Sequence, residues 1–233
     1  MNKHIVTAFD TDLDDLLATL TQMAGWVERS VEVAVHALLT GAVDAAERII
    51  DDDEKVDQSD RDIESLAVLL IAKRQPMGDD LRTIVSAMRV SQDLERVGDL
   101  AKNIAKRALI IDGTFQQRKL AHGVDNLARL VLGQLKSALE AFIELDTEKA
   151  KEVWRDDAEV DALYTSLFRE LLTYMMEDPR NISACTHLLF CAKNLERIGD
   201  HATNIAERAV YTQTGELISG TRPKRDELSA KRA

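Results

Sequence analysis

One stretch of the chain occurs twice, with a shift of 101 residues between the copies. The stretch DLERVGDLAKNIAKRA begins at Asp93 and returns as NLERIGDHATNIAERA from Asn194. A repeat of this kind indicates a tandem duplication, in which each copy is one unit that packs against its neighbour. The chain is therefore expected to fold as two similar halves.

A second, shorter repeat lies upstream of each copy. DDEKVD at residues 52–57 returns as DDAEVD at residues 156–161, with a shift of 104. A turn containing Pro76 or Pro179 follows each one and absorbs the difference between the two shifts. Two helices joined by a short turn run antiparallel, so the acidic residues of the upstream helix are expected to lie opposite those of the repeated stretch.

Apolar residues recur in alternating steps of four and three, which is the spacing of helices that pack in bundles. With 4% aromatic residues, 10 Gly and 3 Pro, the composition favours long helices over a sheet with many turns. The predicted fold class is all-α: two tandem three-helix bundles, spectrin-repeat-like, with six helices of about 30 residues or ~45 Å each. The clearest seams are Val90, Leu94, Val97, Ala101, Ile104, Ala108 and Ile111, and then Leu188, Cys191, Leu195, Ile198, Ala202, Ile205 and Ala209.

Helix-breaking residues set the predicted boundaries. Breaks are expected at Thr40-Gly41, at the two Pro turns and at Asp112-Gly113, with Asp146 as a helix N-cap. The predicted units are a first bundle at residues 1–112, a second bundle at 113–212 and a disordered basic tail at 213–233.

Each repeated stretch carries a Glu, an Asp and an Asn at i, i+4 and i+8, on one stripe of the helix. Like charges at i, i+4 destabilise a helix by roughly 0.2–0.5 kcal/mol per pair, so four carboxylates in one groove are favoured when a cation offsets them. Carboxylate oxygens suit Mg²⁺, Mn²⁺ or Fe, and the spacing does not select among these metals. The candidate metal ligands are Asp53, Asp57, Glu95 and Asp99 in the first half, and Asp157, Asp161, Glu196 and Asp200 in the second.

Several alternatives remain open for these residues. Asn103 and Asn204 fit metal ligands and helix-to-helix hydrogen bonds equally well, and His201 is interpreted as a bystander. Gly98 and Gly199 lie inside helices and predict the close approach of a neighbouring helix or of a metal cluster. The competing account of the acidic residues is a set of internal ion pairs with nearby arginines, namely Arg96, Arg107, Arg197 and Arg208.

The charge and hydropathy of the chain exclude some classes of function. A net charge of −11 argues against nucleic-acid binding, and no apolar run long enough for membrane insertion exists. The start of the chain does not resemble a signal peptide, so we expect a cytoplasmic protein whose Cys185 and Cys191 are free thiols in the core. The tail carries a net charge of +3 over residues 222–232 and is interpreted as a solvated end, with partner binding or membrane contact as the alternative.

The two repeated motifs together, DxxxVD followed by LER[VI]GDxxxNIAxRA, resemble the PhoU family of phosphate-signalling accessory proteins. The resemblance covers residues 1 to about 212. It implies a cytoplasmic all-α homodimer with metal ions, single or in multinuclear clusters, on paired [ED]xxxD motifs at the eight acidic residues named above.

The resemblance also implies a regulator that has no catalytic residues. It predicts a negative regulator of the phosphate-starvation (Pho) regulon and of phosphate uptake. The expected partners are a PhoR-type sensor histidine kinase and the ATPase subunit of the phosphate ABC transporter.

Two alternatives come from other classes of protein. An all-α, Mg²⁺-dependent nucleotide pyrophosphohydrolase also places acidic residues on bundled helices, although such enzymes favour i, i+3 spacing. A metal-free helical scaffold is the other alternative.

Overall fold

The computed structural model describes the backbone of residues 2–111 and 118–218, and the side chains of residues 8–111 and 122–218. The described residues form six long α-helices and one 3₁₀ turn at Pro179–Asn181. The helices are α1 (Asn2–Thr40), α2 (Val43–Arg74), α3 (Asp79–Ile111), α4 (Arg118–Glu144), α5 (Thr147–Glu177) and α6 (Ile182–Thr214). The all-α prediction is confirmed.

The helices form two three-helix bundles. In the first half α1, α2 and α3 pack against one another, and in the second half α4, α5 and α6 do the same. The halves meet mainly through α3 and α6, with a smaller contact between α1 and α4. Two contacts show that α3 and α6 run antiparallel, because Asp93 meets His201 whereas the later Arg107 meets the earlier His187.

Local sequence signals explain where the helices begin and end. The Asp146 carboxylate accepts hydrogen bonds from the backbone N–H groups of Glu148 and Lys149, which confirms the predicted N-cap of α5. Helix α6 ends two residues past the predicted limit of the bundle, where Gly215 takes the left-handed conformation at φ 75°. The predicted break at Asp112-Gly113 and residues 219–233 of the predicted tail lie outside the described residues.

Both predicted apolar seams are buried along their whole length, from Val90 to Ile111 on α3 and from Leu188 to Ala209 on α6. Cys185 and Cys191 are free and buried, as predicted, and burial raises the pKa of the Cys191 thiol to about 12. Leu, Ile, Val and Ala supply most of the core. Burying one large aliphatic side chain stabilises a fold by about 1.5–3 kcal/mol, so the seams determine which face of α3 and of α6 packs into its bundle.

The two glycines inside the repeated stretches mark close helix contacts. A Cβ at Gly98 would lie 3.2 Å from Val56 Cγ1, and one at Gly199 would lie 3.2 Å from Val160 Cγ1. Val56 and Val160 are the valines of the two DxxxVD motifs. Of the two readings of these glycines, the structure supports the close approach of a neighbouring helix, which brings α2 to α3 and α5 to α6 at the level of the acidic motifs.

Candidate functional site in two acidic grooves

The first groove lies between α2, which carries Asp53 and Asp57, and α3, which carries Glu95 and Asp99. Asp53 is 8% exposed, whereas the side chains of Glu95 and Asp99 are 22% and 42% exposed. Burial raises the pKa of Glu95, and the charges of Asp99 and Asp57 raise it further against the opposing effect of Arg96. The influence of Asp57 on Glu95 shows that acidic residues of the two helices are close enough to interact across the groove.

Basic side chains partly neutralise the first groove. Lys102 of α3 reaches across to α2, where its ammonium group donates a hydrogen bond to Asp53 Oδ2. This hydrogen bond raises the pKa of Lys102, and the charges of Asp53, Asp99 and Asp57 add to the effect. At the rim, Arg96 lies 3.3 Å from Glu95 and 3.7 Å from Asp99. The ion pair that spans the groove is therefore made by a lysine that the sequence analysis did not single out.

The second groove lies between α5, which carries Asp157 and Asp161, and α6, which carries Glu196 and Asp200. Asp157 and Asp161 are 2% and 8% exposed, and the Glu196 side chain is 12% exposed. Burial raises the pKa of Glu196; the hydrogen bond from Lys193 lowers it, and the charges of Asp200 and Asp161 raise it. The second groove thus has the same acidic layout as the first, and its Glu is less exposed.

Neutral polar groups hold Asp157 in the second groove. Asp157 Oδ1 lies 3.1 Å from the Thr203 hydroxyl and 3.3 Å from Gln134 Nε2. The Thr203 oxygen also accepts from Gln134 Nε2 at 3.3 Å and lies 3.1 Å from the carbonyl oxygen of Gly199. Gln134 is 7% exposed, so this network is part of the core between α4, α5 and α6.

The repeat shows how the two networks correspond. The 101-residue shift that relates Glu95 to Glu196 also relates Lys102 to Thr203, and the 104-residue shift that relates Asp53 to Asp157 relates Ser30 to Gln134. Aligning the two copies would have revealed that Thr203 corresponds to a lysine and Gln134 to a serine. Gln134 carries a further signal, because it is a polar residue next to the core residues Val131 and Leu135 of α4.

Both the sequence and the fold of this chain match known proteins. The sequence matches the PhoU domain twice, at residues 20–108 and 124–209. The phosphate-specific transport system accessory protein PhoU homolog of Rhizobium meliloti is 52% identical over 97% of this chain and 95% of its own length. The chain belongs to the PhoU family.

Other PhoU proteins are similar to this chain in sequence and in fold. The accessory protein PhoU homolog of Caulobacter vibrioides is 47% identical over 98% of this chain and 100% of its own length. The crystal structure of PhoU from Pseudomonas aeruginosa has a TM-score of 0.86 at 38% identity and covers 89% of this chain and 100% of its own. The crystal structure of the phosphate transport system regulatory protein PhoU from Streptococcus pneumoniae has a TM-score of 0.83 at 31% identity. It covers 91% of this chain and 99% of its own. These names describe accessory and regulatory proteins, in agreement with the prediction that the chain is not an enzyme.

The two PhoU domains differ in how well their grooves fit a metal ion. In residues 8–111 and 122–218, no three His, Cys, Asp or Glu side chains converge closely enough to hold one. In the first PhoU domain the ammonium of Lys102 already holds Asp53, so that donor set does not fit a cation as it stands. In the second, the four acidic residues supply carboxylate oxygens, the donor type that Mg²⁺, Mn²⁺ or Fe prefers, and Lys193 pairs with one of them, Glu196. The roles of all eight residues as metal ligands stay predictions.

The remaining candidates of the sequence analysis lie elsewhere on the PhoU domains. Asn103 is exposed, and Asn204 Nδ2 donates to Asp93 Oδ1 of α3 at 3.2 Å, which favours the helix-to-helix hydrogen bond over a ligand role. His201 Nδ1 lies 2.8 Å from the same carboxylate oxygen. Asn204 and His201 therefore connect the two PhoU domains. Arg107, proposed as an ion-pair partner, lies instead over the Phe190 ring at 4.0 Å.

A cleft of about 640 Å³ lies where the two PhoU domains meet. It borders the first groove through Glu95 and Arg96 and reaches the second domain at Asn204 and Glu207. Its walls carry both acidic and basic side chains, so the cleft favours neither anions nor cations as a class.

Proposed function

We propose that this chain is a cytoplasmic negative regulator of the phosphate-starvation regulon and of phosphate uptake. The observation that carries the proposal is the pair of PhoU domains, together with relatives that are named as accessory proteins of phosphate-specific transport and align over almost the whole chain. In the part of the chain that the structure describes, no helix is long and apolar enough to cross a membrane. The proposed regulator acts through contacts with other proteins.

The proposed partners are a PhoR-type sensor histidine kinase and the ATPase subunit of the phosphate ABC transporter, and the proposed assembly is a homodimer. Long helical side faces give room for such contacts. Around the turn between α5 and α6, the apolar residues Met176 and Ile182 are 85% and 48% exposed, which supports an interaction surface there. The charge of −11 predicts that association with a basic partner weakens as salt is added.

Deletion of the gene in its own host tests the regulatory proposal. The deletion strain should express phosphate-starvation phosphatase in high phosphate, and the full chain should restore repression. A chain ending at residue 219 serves as a matched variant, and it should also restore repression if the basic tail is only a solvated end. Normal repression in the deletion strain, with no second gene of this family present, would disprove the proposal.

We further propose that the second acidic groove binds one or several Mg²⁺, Mn²⁺ or Fe ions, whereas an ion in the first groove would have to displace Lys102 from Asp53. Burial, and after it the neighbouring carboxylates, raise the pKa values of Glu95 and Glu196, in keeping with a cost of holding negative charge in the grooves. A divalent cation at Asp157, Asp161, Glu196 and Asp200 would offset these charges and stabilise the contact between α5 and α6.

Elemental analysis of purified protein tests the metal proposal. The double variant Glu196→Ala, Asp200→Ala should lose the metal of the second domain. The matched control is Asp156→Ala, Glu159→Ala, which removes two exposed carboxylates from the same stretch of α5 and should keep the metal. Equal metal content in the wild type and in the Glu196, Asp200 variant would show that these residues are not ligands.

A further inference from the structure

The repeat relates the cleft between the PhoU domains to a second surface at the other end of α3 and α6. Because the two helices are antiparallel and related by a shift of 101 residues, each position at one end has a counterpart at the other. Arg89 of α3 and Arg208 of α6 line the cleft, and their counterparts are Phe190 of α6 and Arg107 of α3. The basic and aromatic counterparts of the cleft residues, here called the basic aromatic surface, are Lys106, Arg107, Tyr164, Phe190, Lys193 and Arg197.

The two ends differ in charge. The cleft has four acidic side chains beside its three arginines. At the corresponding positions the second end has lysine in place of one glutamate and asparagine and tyrosine in place of the two aspartates. Glu196 stays acidic there, and Lys193 pairs with it at 2.7 Å. No described residue forms an ion pair with Lys106, Arg107 or Arg197, so this surface is positive on a chain whose net charge is −11.

An aromatic ring is held exposed within this surface. Phe190 is 50% exposed, and the Arg107 guanidinium of the other PhoU domain lies over its ring at 4.0 Å. Arg107 Nη1 also donates to His187 Nδ1 at 3.1 Å, since an arginine has no acceptor. Ile110, one turn further along α3, is 60% exposed. Arginine and aromatic side chains contribute most to binding at interfaces, and here the two are already in contact before a partner arrives.

Positive charge around an exposed ring fits a protein segment that presents an apolar side chain with carboxylates beside it. An anionic membrane offers similar chemistry, but a chain with a net charge of −11 is repelled by such a membrane as a whole. The relatives of this chain are named as accessory proteins of a phosphate-specific transport system. These names favour the transporter as the source of the segment.

We propose that the basic aromatic surface binds an acidic, apolar segment on the ATPase subunit of the phosphate transporter. The inference rests on the proposed regulatory function and adds where the partner binds and which chemistry it must present. It also distinguishes the two ends of the contact between the PhoU domains, because only the end with Phe190 combines an exposed ring with unpaired positive charges.

Binding of the full chain to the purified ATPase subunit, measured by microscale thermophoresis, tests the inference. Phe190→Ala and Arg107→Gln should weaken binding by about 10-fold or more, as expected for side chains at the centre of an interface. The matched variants at the other end of the repeat, Arg89→Ala and Arg208→Gln, should bind within about twofold of the wild type. Lys106→Glu reverses an exposed charge and should weaken binding, whereas a basic partner would bind this variant more tightly.

Circular dichroism checks that each variant keeps its helices, and Lys106→Glu carries the test if Phe190→Ala fails to fold. Unchanged binding in both variants, or tighter binding in Lys106→Glu, would overturn the inference and leave regulation through the transporter standing. Binding to phosphatidylglycerol vesicles or to the sensor kinase that Phe190→Ala abolishes, with ATPase binding intact, would overturn it in favour of another partner. If the wild type does not bind the ATPase subunit at all, the inference is wrong, and the deletion strain decides the regulatory function separately.

Discussion

The two grooves carry acidic residues at matching positions of the repeat, but different side chains contact the buried aspartate in each. In the first half the buried Asp53 is joined to Lys102 by an ion pair across two helices. In the second half the more deeply buried Asp157 is held by the hydroxyl of Thr203 and the amide of Gln134. The two halves thus have the same helix arrangement, and they differ in the charge of the side chains that contact the buried aspartate.

The difference matters because a buried carboxylate requires either a positive charge or several hydrogen bonds. Lys102 supplies a positive charge to Asp53 and so lowers the negative charge of the first groove. Thr203 and Gln134 supply hydrogen-bond donors to Asp157 and carry no charge of their own.

The largest expected effect comes from breaking the cross-groove ion pair in metal-free protein. Lys102→Met leaves Asp53 buried without its cation and should lower the free energy of unfolding by about 1–3 kcal/mol, less than the 3–5 kcal/mol of fully buried pairs because Lys102 is partly exposed. Urea unfolding monitored by circular dichroism measures the change.

Two controls accompany this measurement. Lys55→Met breaks the exposed pair of Lys55 with Asp52 and should change stability by less than about 0.5 kcal/mol. Thr203→Val removes one neutral contact of Asp157 and should cost about 1 kcal/mol. A loss in Lys102→Met no larger than in Lys55→Met would show that the first groove does not depend on its lysine.

A smaller effect is expected at the paired glycines. A Cβ at Gly199 would lie 3.0 Å from Gln134 Oε1 and 3.2 Å from Val160 Cγ1, whereas one at Gly98 meets only the side chain of Val56. Alanine gains about 1 kcal/mol over glycine in a helix, so Gly98→Ala should be near neutral and Gly199→Ala should be destabilising by about 1 kcal/mol. Thermal unfolding of both variants measures the difference.

Gly25 of α1 provides the control for this pair, because a Cβ there would meet nothing within 4 Å. Gly25→Ala should be stabilising by up to about 1 kcal/mol. If Gly98→Ala and Gly199→Ala change stability equally, Gln134 does not make the second contact tighter than the first.

The smallest effect concerns the pH dependence of Glu196, whose pKa is raised by burial and by the charges of Asp200 and Asp161. A carboxyl group with a raised pKa in the folded state contributes stability below its unfolded pKa and loses it as the pH rises through the folded value. In metal-free protein Glu196→Gln should therefore be more stable than the wild type at pH 7, by less than about 1 kcal/mol since solvent screens a partly exposed group.

This advantage should vanish as the pH falls below the ordinary pKa of about 4.5. Glu95→Gln is the matched variant of the first half, where Arg96 opposes the shift, and it should gain less. Stability curves in urea at several pH values compare the two, and an advantage of Glu196→Gln that persists at pH 3 would point to a cause other than its charge.

Particular residues show how far the sequence could predict the site. The seams from Val90 and from Leu188 and the Asp146 cap follow from local sequence signals, and each is found in the structure. For Gly98 and Gly199 the sequence left a neighbouring helix and a metal cluster open, and the structure places a helix there. The roles of Lys102 and Gln134 were missed because each depends on a contact with another helix. Lys102 looks like an ordinary charge on a helix surface until α2 lies opposite it.

The sequence by itself determined the duplication, the helical class, the level at which acidic residues face each other and the family to which the chain belongs. Those properties depend on periodicity and on residue types at fixed spacing, which are local. Only the tertiary structure decided that Lys102 pairs with Asp53, that Gln134 and Thr203 hold Asp157, and that His201 and Asn204 join the halves through Asp93. These contacts depend on the rotation of each helix about its axis, which the packing of the whole bundle fixes.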